Sequence, residues 1–230
     1  MKKFLIVLSI CLLATTLFAA CSKTDSNEIR IGINYELSGG SATYGQGSVE
    51  GIELAIEEIN AAGGINGKLI KPFKVDNSSN SAEATTLATK LITQDKVIAI
   101  LGPATSGCFK AEIPVANKNK VPVATGSATA EDVTVTANGD VQEYAFRICF
   151  SDSFQGRVMS NFATDNLSAK SAVIIMDSSS DYGKGLAKNF KETFIASGGR
   201  IVAEEAYVKD DTDFNAILTK IKGLTFDVIY

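Results

Sequence analysis

An α/β fold with parallel sheets flanked by helices is the architecture this sequence predicts, and three observations predict it. Short apolar and β-branched runs such as Val97–Leu101 and Ala172–Met176 are continuous rather than alternating, as strands buried on both faces are. Stretches with apolar residues at helical spacing separate these runs. The alternation is regular from Glu28 onward, in two stretches joined by the long irregular segment Ala128–Glu143.

The elements follow in order. Ile29–Tyr35 (IRIGINY) reads as a buried strand, with ELSGGSATYGQ as the loop after it. Val49, Ile52, Leu54, Ala55, Ile56 and Ile59 have helical spacing, and Gly63-Gly64 stops that helix. Asn66-Gly67 turns the chain into a strand over about Leu69–Asp76. Ser81 caps a helix through Gln94 whose apolar face carries Ala84, Leu87, Ala88, Leu91 and Ile92. After strand Val97–Leu101, the loop GPATSG leads into a helix from about Cys108 to Asn119. Pro114 falls inside that helix and is expected to kink it or move its start. Strand Val121–Thr125 follows, then an extended stretch near Tyr144–Phe150. A helix opens at Asp152 or Ser153 and runs to Asn166. Strand Ala172–Met176, helix Tyr182–Ala196, strand Arg200–Tyr207, helix Thr212–Lys222 and strand Asp227–Tyr230 complete the pass. An apolar strand left as a terminus is an aggregation liability. The chain therefore reads as incomplete, with an incomplete second half.

The first residues have a different purpose. Lys2 and Lys3 precede an uncharged apolar stretch, Phe4–Ala20, and the small pair Ala19-Ala20 leads into Cys21. This is the pattern of a secretory signal, removed on export. A cysteine directly after the small pair resembles a lipobox, in which Cys21 is diacylated and becomes the new N-terminus. The position three before it, usually leucine, is Phe18 here. The apolar run is short of the ~20 residues a spanning helix needs. The expected organisation is a signal peptide over residues 1–20, a lipidated tether over 21–27, an N-terminal lobe over 28–148 and a second lobe over 149–230. The expected location is the cell envelope, in the periplasm or on the outer surface of the cytoplasmic membrane, with a lipid anchor to that membrane.

Composition excludes several functions. The chain has no histidine, which removes His-based acid–base catalysis, Ser/His and Cys/His nucleophile pairs and His-containing zinc sites. It has no CxxC and no GxxxxGK[ST] loop. Gly45, Gly47 and Gly51 are spaced wrongly for a dinucleotide fingerprint. No cofactor and no metal are expected. The formal net charge is −4, with no basic run to neutralise phosphates, which argues against a nucleic-acid partner. Acidic pairs such as Glu57-Glu58, Glu204-Glu205 and Asp210-Asp211 read as solvated surface. Beyond Cys11 and Cys21, Cys108 and Cys149 form an even pair in an exported chain. Whether they join in a disulfide the sequence leaves open.

In open α/β sheets, ligands bind outside the carboxyl ends of the strands. Leu37–Gln46, Gly102–Gly107 and Gly126–Thr129 are small, hydroxyl-rich loops at such ends, and Asp177–Gly183 is their counterpart in the second half. Ser106 lies just before a helix, where free N–H groups favour a carboxylate. Thr129 adds a hydroxyl able to donate and accept. Singly, Ser106 could be an N-cap, Thr129 a turn residue, and Tyr44 and Tyr182 loop aromatics. Together at one sheet edge they favour a pocket.

Residues 28–230 resemble the leucine/isoleucine/valine-binding type of periplasmic solute-binding protein, the receptor of branched-chain amino-acid ABC importers. The resemblance is carried by LSGGSATYGQGSVEGIELAIEEINAAGGINGK (Leu37–Lys68), ILGPATSG (Ile100–Gly107), VPVATGSATAEDVT (Val121–Thr134), FRICFSDSFQG (Phe146–Gly156) and DYGKGLA (Asp181–Ala187). It implies a two-lobed type I periplasmic-binding-protein-like fold, monomeric, that closes on an amino acid and passes it to ABC permease subunits in the membrane. Ser106 and Thr129 then hold the ligand's carboxylate and ammonium, Ser127 contributes backbone groups, and Tyr44 and Tyr182 line the pocket from opposite lobes. The family's acidic partner for the ammonium comes from beyond Tyr230. The disulfide positions of its best-known members correspond to Asn80 and Thr105, so that bridge is absent. A second class of function, a ligand-sensing ectodomain for amino acids, amides or other small polar solutes, uses the same clamp. An exported hydrolase would need a nucleophile with a base, and the sequence has neither histidine nor G-x-S-x-G.

Overall fold

The computed structural model of the protein describes residues 27–230; the leader and Cys21 lie outside the described residues. Strands β1 (Glu28–Tyr35), β2 (Leu69–Asp76), β3 (Ala99–Leu101), β4 (Val123–Thr125) and β5 (Ala145–Arg147) form one sheet in the order β2-β1-β3-β4-β5. Every pairing in it is parallel. Helices α1 (Ala42–Ala61), α2 (Ser81–Thr93) and α3 (Ser106–Asn119) make its crossovers. A second parallel sheet is built from β6 (Ser171–Asp177), β7 (Arg200–Tyr207) and β8 (Val228–Ile229), in the order β7-β6-β8. Its helices are α4 (Asp152–Asn161), α5 (Asp181–Ala196) and α6 (Asn215–Lys222).

The strand orders decide where a ligand can sit. From β1 the chain crosses to β2 on one side and then returns to β3 on the other. The loops leaving β1 and β3 therefore diverge and open a crevice at their carboxyl ends. In the second sheet the switch occurs around β6, whose carboxyl end leads into Asp177–Ser180.

Two layers of core hold the first sheet. Leu91, Ile100, Phe109, Ile113 and Val123 pack between it and helices α2 and α3, while Ile33, Tyr35, Val49 and Ala104 form a separate cluster. In the second lobe Phe190 and Phe194 are buried and stacked with centroids 5.3 Å apart, and Tyr230 lies on Phe190 at 4.0 Å. Each fully buried aromatic or aliphatic side chain of this kind contributes about 1.5–3 kcal/mol.

Several boundaries differ from expectation, for physical reasons. Helix α1 begins at Ala42 rather than near Val49. Its first turns look like loop because of their glycines, yet Gly45 is buried there, and a Cβ on it would collide with the Glu36 backbone. The glycine lets the helix lie against the end of β1. Helix α3 starts at Ser106 and runs unbroken past Pro114. That proline is on the exposed face, where the Lys110 carbonyl deprived of its donor can turn to water. The helix expected to reach Asn166 does so, but its last turn, Phe162–Asn166, widens to a π-helix. Helix α6 starts at Asn215, three residues later than Thr212.

Candidate functional site

Between the two sheets lies a cleft of about 710 Å³, lined from both. Ligand pockets for small molecules fall in the same range, roughly 300–1,000 Å³. The first lobe contributes its loops after β1, β3 and β4. The second contributes Phe150, Gln155 and the start of α5. All five residues singled out in the sequence, Tyr44, Ser106, Ser127, Thr129 and Tyr182, line this one cleft.

Ser106 is the first residue of α3, following Thr105 as N-cap, and is buried. Its Oγ accepts a hydrogen bond from Ala130 N at 3.2 Å, which leaves the hydroxyl proton free to donate. The first N–H groups of any α-helix lack intrahelical partners, so this helix end presents donors and positive potential to the cleft. The Ser127 hydroxyl is occupied: it donates to Ala104 O at 2.9 Å and ties the β4 loop to the β3 loop. What Ser127 can offer a ligand is therefore its backbone.

Thr129 is 5% exposed, and among the described residues its Oγ1 has no hydrogen-bond partner. Its carbonyl is held twice, by Arg147 Nη1 at 2.9 Å and by Asp152 N at 2.9 Å. The same Nη1 donates to Ala130 O at 2.9 Å. Burial pushes the Asp152 carboxyl up, and the neighbouring Thr129 hydroxyl pulls the other way. Neither side chain completes a hydrogen bond of good geometry.

The tyrosines face the cleft with different freedom. Tyr44, in the first turn of α1, is 72% exposed. Tyr182, in the first turn of α5, has its hydroxyl paired with the Gln155 amide at 3.0 Å.

Cys108 and Cys149 both line the cleft, and both are free thiols, so the pairing that the sequence left open is not made. Cys108 is buried beside the Ser81 hydroxyl at 3.9 Å, whereas Cys149 Sγ lies 3.6 Å from Ala128 O. Burial pushes both thiols up, away from the reactive thiolate. Among the described residues no cluster of three or more His, Cys, Asp or Glu side chains is placed to hold a metal ion.

Three features around the cleft carry no local sequence signal. Glu36 is fully buried at the end of β1, where its carboxylate accepts from Ala104 N (2.9 Å), Thr105 N (3.0 Å) and Thr105 Oγ1 (2.7 Å). It fixes the start of α3 to β1. Beneath it, Glu112 is buried and accepts from Asn34 Nδ2 at 2.9 Å. Burial raises its carboxyl well above the usual range; the Asn34 bond opposes this and Glu36 adds to it. The third feature spans the lobes: Lys110 Nζ on α3 is 2.6 Å from Asp132 Oδ2 and 2.9 Å from Asp181 Oδ2 on α5. Gly40 and Lys209 also line the cleft, and a Cβ on Gly40 would sit 2.9 Å from Lys209 Cε.

Two parallel α/β sheets whose carboxyl-end loops face each other across a polar, hydroxyl-lined cleft define a two-lobed binding protein of the type I periplasmic class. The chain belongs to the periplasmic binding protein family, whose sequence model matches residues 28–230. It is 33% identical over 219 residues to the Leu/Ile/Val-binding protein BraC3 of Rhizobium johnstonii, a match covering 95% of this chain and 57% of that one. Among solved structures it is similar to the branched-chain amino acid transporter substrate-binding protein LivJ of Streptococcus pneumoniae in complex with isoleucine. That likeness has a TM-score of 0.81 and 48% identity over 88% of this chain and 56% of the other. It is also similar, with a TM-score of 0.77 and 28% identity over 88% of this chain and 54% of the other, to an ABC-transporter solute-binding protein from R. palustris in complex with benzoate. The chain thus spans little more than half the length of the relatives it matches.

Proposed function

We propose that this chain carries the amino-acid-binding cleft of a substrate-binding lipoprotein of an ABC importer, with an aliphatic, branched-chain amino acid as ligand. The lobes are residues 28–148 and 149–230, and the ligand lies between them. The observation that carries the reading is the pairing of the α3 N-terminus at Ser106 with the partnerless Thr129 hydroxyl on one cleft wall. Donors at the first can take a carboxylate, and an acceptor at the second can take an ammonium. Neutral groups and helix ends hold a zwitterion without burying an unpaired protein charge against it. Tyr44 and Tyr182 cover the ligand from the two lobes, and closure brings the lobes into the form a membrane permease recognises. Cys21 supplies the anchor, and the receptor acts as a monomer at the cell envelope.

The benzoate-bound relative supports a second reading, in which the ligand is an aromatic acid held by its carboxylate alone. Titration calorimetry on the protein expressed from its full gene separates the two, using leucine, isoleucine, valine and benzoate. Saturable binding of an aliphatic amino acid, weakened about tenfold to hundredfold by Ser106→Ala, is the expected result. Binding of benzoate alone would replace the first reading with the second. The intact mass of the protein extracted from its source membranes tests the anchor. A diacylglyceryl increment on a chain beginning at Cys21 is expected, and an unmodified Cys21 would refute it.

A further inference from the structure

The helix whose first turn borders the cleft is one that its own N-cap residue leaves open. Helices α2, α4 and α5 each follow a polar residue in extended backbone, and each is closed by it. Asn80 accepts from Ala82 N and Glu83 N, Ser151 from Phe154 N, and Ser180 from Gly183 N. Thr105 precedes α3 in the same extended backbone, at φ −85° and ψ 144°, yet its side chain makes no capping bond. A threonine so placed ordinarily accepts from the second or third N–H of its helix. Here those belong to Gly107 and Cys108, and both residues line the cleft beside Ser106.

A buried acid draws the hydroxyl away. Thr105 Oγ1 donates at 2.7 Å to Glu36 Oε1, at the end of β1, and Glu36 is 0% exposed. The same carboxylate accepts from Thr105 N at 3.0 Å and Ala104 N at 2.9 Å. All three donors lie upstream of the first helical residue. The acid therefore anchors the approach to α3 without occupying the N–H groups of its first turn. A hydrogen bond to an ionised acceptor is stronger than one between neutral groups, so the hydroxyl stays with Glu36 rather than turning to the helix. The backbone allows the close approach: a Cβ on Gly102, at φ 98°, would collide with the Asn34 carbonyl, and glycine brings the β3 loop against β1.

We infer that Glu36 is a positioning residue that keeps α3 uncapped: by holding the Thr105 hydroxyl, it leaves the N–H groups of Gly107 and Cys108 open to a ligand carboxylate. The inference rests on the carboxylate reading of this helix end given above and deepens it, adding a residue that acts only through Thr105.

The test uses the protein expressed from its full gene, with calorimetry on leucine and benzoate. Glu36→Ala frees the Thr105 hydroxyl to cap α3, so a ligand carboxylate has to displace it. Whichever probe the wild type binds should weaken at least about fivefold, the worth of one cap. Adding Thr105→Val removes the competing hydroxyl and should recover about fivefold. Both proteins lack the Glu36 charge, so the comparison between them reads the hydroxyl alone. Thr105→Val by itself should gain nothing, because its hydroxyl is already withdrawn. Hydrogen exchange of the ligand-free proteins gives a second readout. The Gly107 or Cys108 amide should be protected in Glu36→Ala and return to fast exchange in the double variant. An affinity that Thr105→Val does not recover, or amides whose exchange does not change, would make Glu36 a structural brace and overturn the inference while leaving ligand binding intact. A gain in Thr105→Val alone as large as in the double variant would overturn it too. A wild type that binds neither probe would overturn the carboxylate reading and the inference together. If Glu36→Ala does not fold, as circular dichroism would reveal, Glu36→Gln takes its place. Its single acceptor oxygen faces three donors, and recovery on adding Thr105→Val again decides.

Discussion

Replacing Lys110 by methionine removes the cation that joins the two lobes while keeping most of the side chain's apolar stem. In the structure Nζ lies 2.9 Å from Asp181 across the cleft and 2.6 Å from Asp132 within its own lobe. The lysine and Asp181 side chains are 30% and 33% exposed, so solvent screens the pair. A pair of this kind contributes about 0.2–1 kcal/mol; losing it also leaves Asp132 without its cation, while Asp181 keeps Lys184 Nζ at 3.2 Å. The closed form should therefore lose about 1 kcal/mol relative to the open form, and ligand affinity about fivefold. Calorimetry with leucine at low and high salt is the assay. The wild-type advantage should shrink as salt rises, because partly exposed charges are screened. Asp132→Asn, which spares the cross-lobe arm, should leave affinity nearly unchanged, whereas Asp181→Asn should resemble Lys110→Met and not add to it. The Lys110 bond holds the Asp181 carboxyl below its ordinary value of 3.8. The contact is then fully present above that value and is lost only as pH falls through the depressed one. Unchanged affinity in Lys110→Met, or a loss that salt does not diminish, would refute this role for the Lys110–Asp181 contact.

Two further outcomes follow from the packing. Burial holds the Glu112 carboxyl well above 4.5, so the folded state keeps its proton where the unfolded chain has lost it, and stability falls as pH rises from about 4.5 toward the folded value. Glu112→Gln should abolish that slope, raising the melting temperature at pH 8 relative to wild type but not at pH 4; parallel melting curves would refute it. Gly45→Ala forces a methyl group against the Glu36 backbone, which has no rotamer to yield. It should destabilise the fold by about 1–3 kcal/mol in urea denaturation, and a neutral result would mean α1 can shift away from β1.

The sequence by itself was enough for the class of fold, its element order and the cleft loops. Continuous apolar runs such as Val97–Leu101 and helical spacing such as Ala84-Leu87-Ala88-Leu91 are local signals, readable because burial on both faces or on one stripe dictates them. The hydroxyl-rich loops follow strands, so the rule that ligands sit at strand carboxyl ends brought Ser106, Ser127, Thr129 and Tyr182 to one place. The start of α1 was hidden because Gly45 serves a close approach to Glu36, which a helix-breaking reading of glycine mistakes for a loop.

Only the tertiary structure decided which charges matter. Glu36 meets the start of α3 from 68 and 69 residues away, and Lys110 meets Asp181 from 71. Those distances close only because β1 and β3 are neighbours and the second lobe folds over the first. No periodicity marks such a residue, since its role lies in a partner that the strand order supplies. The unpaired Asp152 and the free Cys108 and Cys149 belong to the same class. A local pattern can place a side chain on a helix or in a loop, but whether its polar atoms are satisfied depends on what the other lobe brings within about 3 Å.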